Sequence, residues 1–237
     1  MKLLIIDTET ADNENTPCEI SATLYQVGEY SGAIATVSTL IPVEVNNAQA
    51  INRISPELTQ AAHPIYQRSL ELLREISAIG DYAVAFNAEF DSQVADKFFP
   101  GMVSVPWLCA MRDFDWGYHS INSHGGYKLT DLALWLGIGI STVHRAGDDV
   151  RLLVECLNRH KNLPKLVEDA IILAESPMVE IKALVSYEDR HKASKAKFAW
   201  DGERKIWYKS MRECLLDDFI QSLDFDVSLF RVKTAGR

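Results

Sequence analysis

The sequence predicts an α/β protein. We expect a mixed β-sheet flanked by helices over residues 1–176 and a small C-terminal α+β module over residues 177–237. Two observations support this fold class. Strand-like runs come first and then alternate with segments of helical periodicity, which is typical of a layered fold with a mixed sheet. After Ser176 the composition changes, and basic and aromatic side chains cluster.

In the first part, apolar or alternating runs predict strands, and apolar residues at helical spacing predict helices. The expected strands are 2–6, 19–27, 33–41, 82–86 and a short apolar stretch at 105–108. The expected helices are one that begins at Ser55 and Pro56, and others over 65–79, 88–99, 128–136, 144–160 and 165–174. Gly or Pro follows most of these helices, as expected where a helix ends.

In the module, the sequence predicts a strand at 183–187, a basic helix at 188–198, a hairpin over 200–208 and an amphipathic helix at 213–223. Trp200 and Trp207 flank the hairpin turn, and we expect them to form a small core. Two interpretations remain open for Lys195 and Lys197. They are either solvated or in contact with nucleic acid, because cations interleaved with aromatic rings suit single-strand binding.

Composition excludes several classes of protein. The chain has 237 residues, 47% hydrophobic and 24% charged, which is unlike a disordered or collagen-like protein. No apolar run approaches the roughly 20 residues of a membrane helix, and the four cysteines lack the spacing of a zinc or disulfide framework. We expect a soluble, cytoplasmic protein with no membrane partner. The formal charge is −9, but residues 180–212 carry nine basic and five acidic side chains, so an acidic body precedes a basic appendage.

Four carboxylates are expected to face inward. Asp7 and Glu9 lie two residues apart at the end of the first strand, so their side chains share one face. Positions three, four and seven residues after Asp91 are all apolar, whereas those after Glu89 are all polar, which places Asp91 on the core-facing stripe. The same comparison favours Asp149 over its neighbour Asp148.

Inward carboxylates need a compensating charge, because burying an unpaired one costs several kcal/mol. One such residue could be a core aspartate bonded to a backbone amide, but here a strand and two helices each contribute. No Arg or Lys lies on these faces. All-oxygen ligands suit Mg²⁺ or Mn²⁺, and two such ions can clamp the attacking and leaving oxygens of a phosphodiester.

His144 lies five residues before Asp149, just ahead of a helix. Histidine can exchange protons near neutral pH, so His144 is a candidate general base. The alternative is a helix cap or an exposed loop residue. The remaining histidines have no such context and are expected at the surface: His63, His119, His124, His160 and His191.

Three segments carry a resemblance to a known family: 4–10 (LIIDTET), 86–91 (FNAEFD) and 144–149 (HRAGDD). Their order and spacing resemble the three motifs of the DEDDh (DnaQ-like) 3′→5′ exonucleases. Residues 48–58 and 127–138 are similar to further segments of that family, so the resemblance spans about residues 1–160. It implies an RNase H-like exonuclease domain over residues 1–176.

The resemblance also implies the roles of individual residues. Two Mg²⁺ ions, which Mn²⁺ can replace, would be held by Asp7, Glu9, Asp91 and Asp149. His144 would be the general base. Contacts to the terminal nucleotide would come from Thr8, Thr10, Asn87 and Phe90. The sequence departs from the family pattern at Ala11 and Phe86, where the family usually has Gly and His, and this affects the nucleotide contacts rather than the metal ligands.

The implied activity is hydrolysis of 3′-terminal phosphodiesters of DNA, releasing nucleoside 5′-monophosphates, as in DNA repair. Three alternatives stay open: an RNA-trimming exoribonuclease of the same fold, a polymerase-associated module that binds ends, and a phosphodiesterase of small nucleotides. The expected partners are nucleic acid 3′ ends, with DNA favoured over RNA. The C-terminal module would support a homodimer or a DNA-processing partner.

Overall fold

The structure is a computed structural model that describes residues 1–118, 126–141 and 143–233, with side chains up to residue 230. His119 and His124 lie outside the described residues. The chain separates into two compact units, Met1–Ala170 and Ile171–Arg237. Of the helices in the described ranges, none has the length and apolarity needed to cross a bilayer.

The first unit contains a five-stranded mixed sheet. Its strands are β1 (Lys2–Thr10), β2 (Pro17–Gln26), β3 (Gly32–Leu40), β4 (Tyr82–Ala85) and β5 (Trp107–Cys109). The order across the sheet is β3-β2-β1-β4-β5. β1 pairs antiparallel with β2 and parallel with β4, so it lies at the centre of the sheet, and its residues 3–6 are fully buried. This confirms the predicted fold class.

Helices follow and separate the strands. They are α1 (Gln49–Asn52), α2 (Pro56–Ala61), α3 (Tyr66–Ser77), α4 (Ala88–Phe98), α5 (Leu129–Trp135), α6 (Ala146–Arg159) and α7 (Leu163–Glu175). The expected start of α2 is present, since Ser55 accepts a hydrogen bond from the Leu58 amide and Pro56 is the first helical residue.

Helix α6 packs across β1 and β2. Its apolar stripe includes Leu153, Cys156 and Leu157, which are all buried. Near its start, a Cβ atom on Gly147 would lie 3.3 Å from the Ser38 hydroxyl, so the absence of a side chain there lets the helix approach the sheet closely. The first turn of α6 therefore lies against the end of the sheet that holds Asp7 and Glu9.

The second unit is a four-stranded antiparallel sheet with two short helices. Its elements are β6 (Met178–Ala183), α8 (Arg190–Lys195), β7 (Ala199–Asp201), β8 (Ile206–Arg212), a 3₁₀ turn (Glu213–Leu215), α9 (Leu216–Gln221) and β9 (Val227–Lys233). The strand order is β7-β8-β6-β9. Ile181, Ala193 and Phe198 are buried in its core, against which α9 packs through Leu216 and Phe219.

Several predictions for this unit were wrong. The first strand is 178–183 rather than 183–187, because Val179 and Ile181 alternate inward along a strand that pairs with β8 on one side and with β9 on the other. Strand β9 was not expected at all. The hairpin is present as β7 and β8, but Trp200 is 52% exposed and Trp207 only borders the core, so the two tryptophans do not form a core of their own.

Candidate active site

Asp7 and Glu9 lie at the end of β1, and both side chains are partly buried. Thr8, between them, points toward helix α4 and is itself buried. Its amide and its hydroxyl both donate hydrogen bonds to Oδ1 of Asp91, at 3.0 and 2.8 Å. These two bonds fix Asp91, which is 3% exposed and lies in the first turn of α4, beside the carboxylates of β1.

Asp149 lies in the first turn of α6. Its Oδ2 accepts a hydrogen bond of 3.3 Å from the backbone amide of His144. His144 is exposed and has a φ of 61°, in the left-handed region that most side chains avoid. Potential ligand atoms of Glu9, His144 and Asp149 all lie within 4.8 Å of one another. The structure thus brings all five sequence-predicted residues to one end of the central strand.

Glu19 and Arg145 complete the site, and sequence reasoning missed both. Glu19 pairs with Glu9 across β1 and β2 and is 4% exposed. Its carboxylate accepts hydrogen bonds from Nε and Nη2 of Arg145, at 3.0 and 2.9 Å, and from the amide of Ala146 at 2.9 Å. The pair therefore ties the start of α6 to the sheet. The one sequence signal for it was a glutamate inside an otherwise uncharged strand.

Burial and mutual repulsion raise the pKa values of the carboxylates. The pKa of Asp7 lies well above its ordinary value, chiefly because of burial and then because of the charges of Asp91 and Asp149. Burial, with Asp149 and Glu19 nearby, raises the pKa of Glu9 to about 8. Burial raises the pKa of Asp91 to about 7 against the lowering effect of its hydrogen bonds from Thr8. The pKa of Asp149 is raised as well, chiefly by burial.

These shifts show how unfavourable four ionised carboxylates are at this place. Arg145, which is bonded to Glu19, is the cation that acts on Glu9. A divalent cation would relieve the repulsion, and the donors are carboxylate oxygens with one imidazole, a set that hard divalent ions accept. The residues present therefore fit a divalent metal site.

The four residues expected to contact a nucleotide lie near the site, but they differ in exposure and in the hydrogen bonds that they already form. The hydroxyl of Thr8 is committed to Asp91. Thr10 is partly buried, and its carbonyl accepts a bond from Asn52. Asn87 is exposed just before α4, and Phe90 is partly buried against the core of the first unit.

Glu89 and the other described histidines lie outside the carboxylate cluster. Glu89 is exposed and forms an ion pair of 3.0 Å with Arg112. His63 and His191 are exposed, as expected. His160 is partly exposed and contacts the ring of Trp116 edge to face, so it has a structural contact besides its expected surface position.

Three solved structures are among those similar to this chain. The nuclease domain of 3′hExo, a DEDDh family member bound to rAMP, has 15% identity and a TM-score of 0.51 over 69% of this chain and 92% of that chain. Exonuclease X in complex with 5′ overhanging duplex DNA has 20% identity and a TM-score of 0.45, and the match covers 71% of this chain and 99% of that chain. E. coli Exonuclease I in complex with a dT13 oligonucleotide has 15% identity and a TM-score of 0.47, and the match covers 77% of this chain and 48% of that chain.

The first of these likenesses shows that the chain shares the fold of that nuclease domain, a mixed sheet flanked by helices. The similarity of residues 107–111 (WLCAM) to a segment of exodeoxyribonuclease X stays a prediction from the sequence. Residues 179–230, in the second unit, match the model of a domain of unknown function, DUF8626. No curated protein matches the chain in sequence.

Proposed function

We propose that this protein is a metal-dependent 3′→5′ exonuclease that hydrolyses 3′-terminal phosphodiesters of DNA and releases nucleoside 5′-monophosphates. The observation that carries the proposal is the convergence of Asp7, Glu9, Asp91, Asp149 and His144 at one end of the central strand. The likeness to the 3′hExo nuclease domain supports the same class of reaction.

Asp7, Glu9, Asp91 and Asp149 would hold two divalent cations, Mg²⁺ or Mn²⁺. When bound, such ions stabilise the charge that develops on a phosphodiester during in-line displacement. The chain's own task is to keep the four carboxylates in place. Thr8 does so for Asp91, and the amide of His144 does so for Asp149.

His144 is the proposed general base. Its ring is exposed beside Glu9 and Asp149, where it can take a proton from an attacking water. Thr10, Asn87 and Phe90 remain proposed contacts of the terminal nucleotide, through the hydroxyl, the amide and the ring respectively. The local negative charge of the site makes the cations essential for an anionic substrate to approach.

A second candidate is a 3′→5′ exoribonuclease that uses the same residues. The observation that favours it is that the 3′hExo nuclease domain was solved with rAMP, a ribonucleotide. The two candidates differ in the contacts near the 2′ position of the terminal sugar. They share the metal site and the polarity of the reaction.

The first experiment uses 5′-labelled single-stranded DNA and RNA of one sequence, incubated with the protein and Mg²⁺, with EDTA as control. We expect a ladder of DNA products that shortens from the 3′ end and disappears with EDTA. A ladder on RNA alone would establish the second candidate. Absence of a ladder on both substrates, with Mg²⁺ and with Mn²⁺, would contradict both.

The carboxylate assignment is tested by neighbouring residues of one helix. Asp91→Asn should lower the rate of hydrolysis by at least about 10²-fold, the scale of removing one group that stabilises the transition state. Glu89→Gln is the matched control, because Glu89 lies two residues away but is exposed and paired with Arg112. Equal rates for the two variants would contradict the assignment.

A further inference from the structure

A cavity of about 650 Å³ lies within the second unit, and it is formed mainly by aromatic and basic residues. We propose that it binds unpaired bases of a single-stranded nucleic acid. The side chains that carry the proposal are Tyr187, Arg190, Trp200, Lys205 and Trp207. The site is independent of the carboxylate cluster, since every one of these residues belongs to the second unit.

The cavity follows from how the β7–β8 hairpin is built. Trp200 and Trp207 are directly opposed across the two strands, so their side chains lie on one face of the sheet with ring centroids 5.5 Å apart. Trp200 stays 52% exposed because the hairpin is at the edge of the sheet. A large ring kept in solvent on an ordered strand offers a flat apolar surface for another ring.

A second aromatic surface lies at the start of α8. Tyr187 is 79% exposed, and the guanidinium of Arg190 lies over its ring at 4.0 Å from the centroid. Nη1 of Arg190 also donates a hydrogen bond of 2.6 Å to the carbonyl of Tyr187. This arrangement fixes a planar cation beside the cavity, where it can stack on a base or meet a phosphate.

Of the described residues that line the cavity, Lys182, Arg190 and Lys205 are basic and none is acidic. Among the neighbouring carboxylates, Glu180 and Asp201 pair with Arg204, Asp189 and Asp224 pair with Lys192, and Glu188 and Glu203 are exposed outside the lining. Among the side chains described up to residue 230, no carboxylate forms an ion pair with Arg190 or Lys205. A cationic ligand is therefore disfavoured, and an anionic one is attracted.

Lys182 and Ile206 also line the cavity. Strand alternation places their side chains on the sheet face opposite the two tryptophans, so we assign them no part in ligand contact. Lys195, which the sequence singled out, lines a different cavity with Asp224 and Phe225, and Lys197 lines neither of the two. The proposed site thus uses residues other than the two lysines.

Exposed rings combined with unpaired cations match single-stranded nucleic acid better than any other anion. Every base presents a flat π-face for an indole or phenol ring, and its phosphate lies within reach of a neighbouring cation. Duplex DNA hides these faces in its stack. An acidic peptide would satisfy Arg190 and Lys205 but would leave the aromatic rings unused.

The test uses a covalently closed circle of single-stranded oligo(dT), labelled with a fluorophore, and the full chain in EDTA. A circle has no 3′ end, so its binding does not depend on whether the protein is an exonuclease. We expect Trp200→Ala to weaken the affinity about tenfold, the scale of losing one base stack. Trp200→Phe keeps an aromatic ring and should restore most of the affinity.

The cations are tested by salt dependence. Lys205→Ala should reduce the slope of log affinity against log salt by roughly 0.7, the value for one phosphate contact on a single strand. Equal affinities of the wild type and Trp200→Ala, with unchanged melting temperatures, would overturn the proposal. Competition by poly-glutamate as effective as that by oligo(dT) would overturn it too, by assigning the cavity to acidic peptides.

Discussion

At the scale of single residues, the site depends on Glu19, a carboxylate outside the four proposed metal ligands. Glu19 lies beside Glu9 and adds to the repulsion there, yet it also holds Arg145 and the amide of Ala146 through three hydrogen bonds. The residue therefore positions the first turn of α6, which carries Asp149. Its effect on the reaction is indirect.

Replacing Glu19 by Gln keeps an acceptor oxygen but removes the charge that Arg145 requires. We expect the variant to lose about 1.5–3 kcal/mol of stability, the range for hydrogen bonds to charged groups, and to hydrolyse substrate more slowly. Thermal unfolding and the single-turnover rate at several Mg²⁺ concentrations check this. Glu14→Gln, at an exposed position, is the control and should change neither quantity.

The sequence could predict which carboxylates face inward but not what holds them. Helical spacing separates Asp91 from Glu89, because it depends only on neighbours along the chain. The pairing of Glu19 with Arg145 joins residues 126 apart in sequence, and nothing local to either indicates the other. The exposure of Trp200 was missed for a similar reason, since it depends on where the hairpin lies in the sheet.

At the scale of elements, the approach of α6 to the sheet decides where Asp149 lies. Gly147→Val would place side-chain atoms against Ser38 and push the first turn of the helix away from β1. We expect a loss of about 1–3 kcal/mol of stability, as for overpacking, together with lower hydrolytic activity. Gly32→Val is the control, since an added Cβ there meets nothing within 4 Å.

If the side chain at position 147 collides with Ser38, adding Ser38→Ala to Gly147→Val should restore part of the stability and part of the activity. The effects of the two substitutions should then be non-additive. Additive effects would contradict close packing at Gly147. The measurements are thermal melting and the rate of hydrolysis for the two single variants and the double variant.

The sequence predicts the boundaries of a helix well where its apolar residues recur regularly. It predicts the boundaries of a strand poorly where pairing with distant strands determines them. The helix expected over 65–79 is observed as Tyr66–Ser77, because its apolar stripe is regular. In the second unit, the apolar residues of 183–187 suit a strand when taken alone, and pairing with β8 and β9 selects 178–183 instead. Strand β9 pairs with residues about 50 positions earlier, so no short-range signal exposes it.

At the scale of the whole molecule, the carboxylate cluster links stability to pH and metal. The pKa of Glu9 is raised from 4.5 to about 8 and that of Asp91 from 3.8 to about 7. The folded state therefore holds these protons more tightly than the unfolded state does. The stability they contribute is fully present below about pH 4 and is lost as the pH rises through about 7 to 8.

We expect the metal-free protein to melt several degrees lower at about pH 8.5 than at about pH 5.5, since about 1 kcal/mol corresponds to roughly 2–4 °C in a protein of this size. Mg²⁺ should raise the melting temperature more at the higher pH, where the carboxylates are ionised. Differential scanning fluorimetry in EDTA and in Mg²⁺ measures both trends.

Asp7→Asn provides the internal check, because it removes one of the repelling charges. The variant should be inactive, yet in EDTA at the higher pH it should melt above the wild type. A wild-type melting temperature in EDTA that does not change with pH, or one that equals that of Asp7→Asn at the higher pH, would contradict the mutual repulsion of the cluster.

The left-handed backbone at His144 determines which substitution can test its role. Alanine there would lose the imidazole and also place a side chain that resists this conformation, so a lower rate would mix two effects. Asparagine tolerates the left-handed region and lacks a group that accepts a proton near neutral pH. His144→Asn should therefore keep the wild-type melting temperature while turnover falls by about 10²–10⁴-fold, the contribution of a general base.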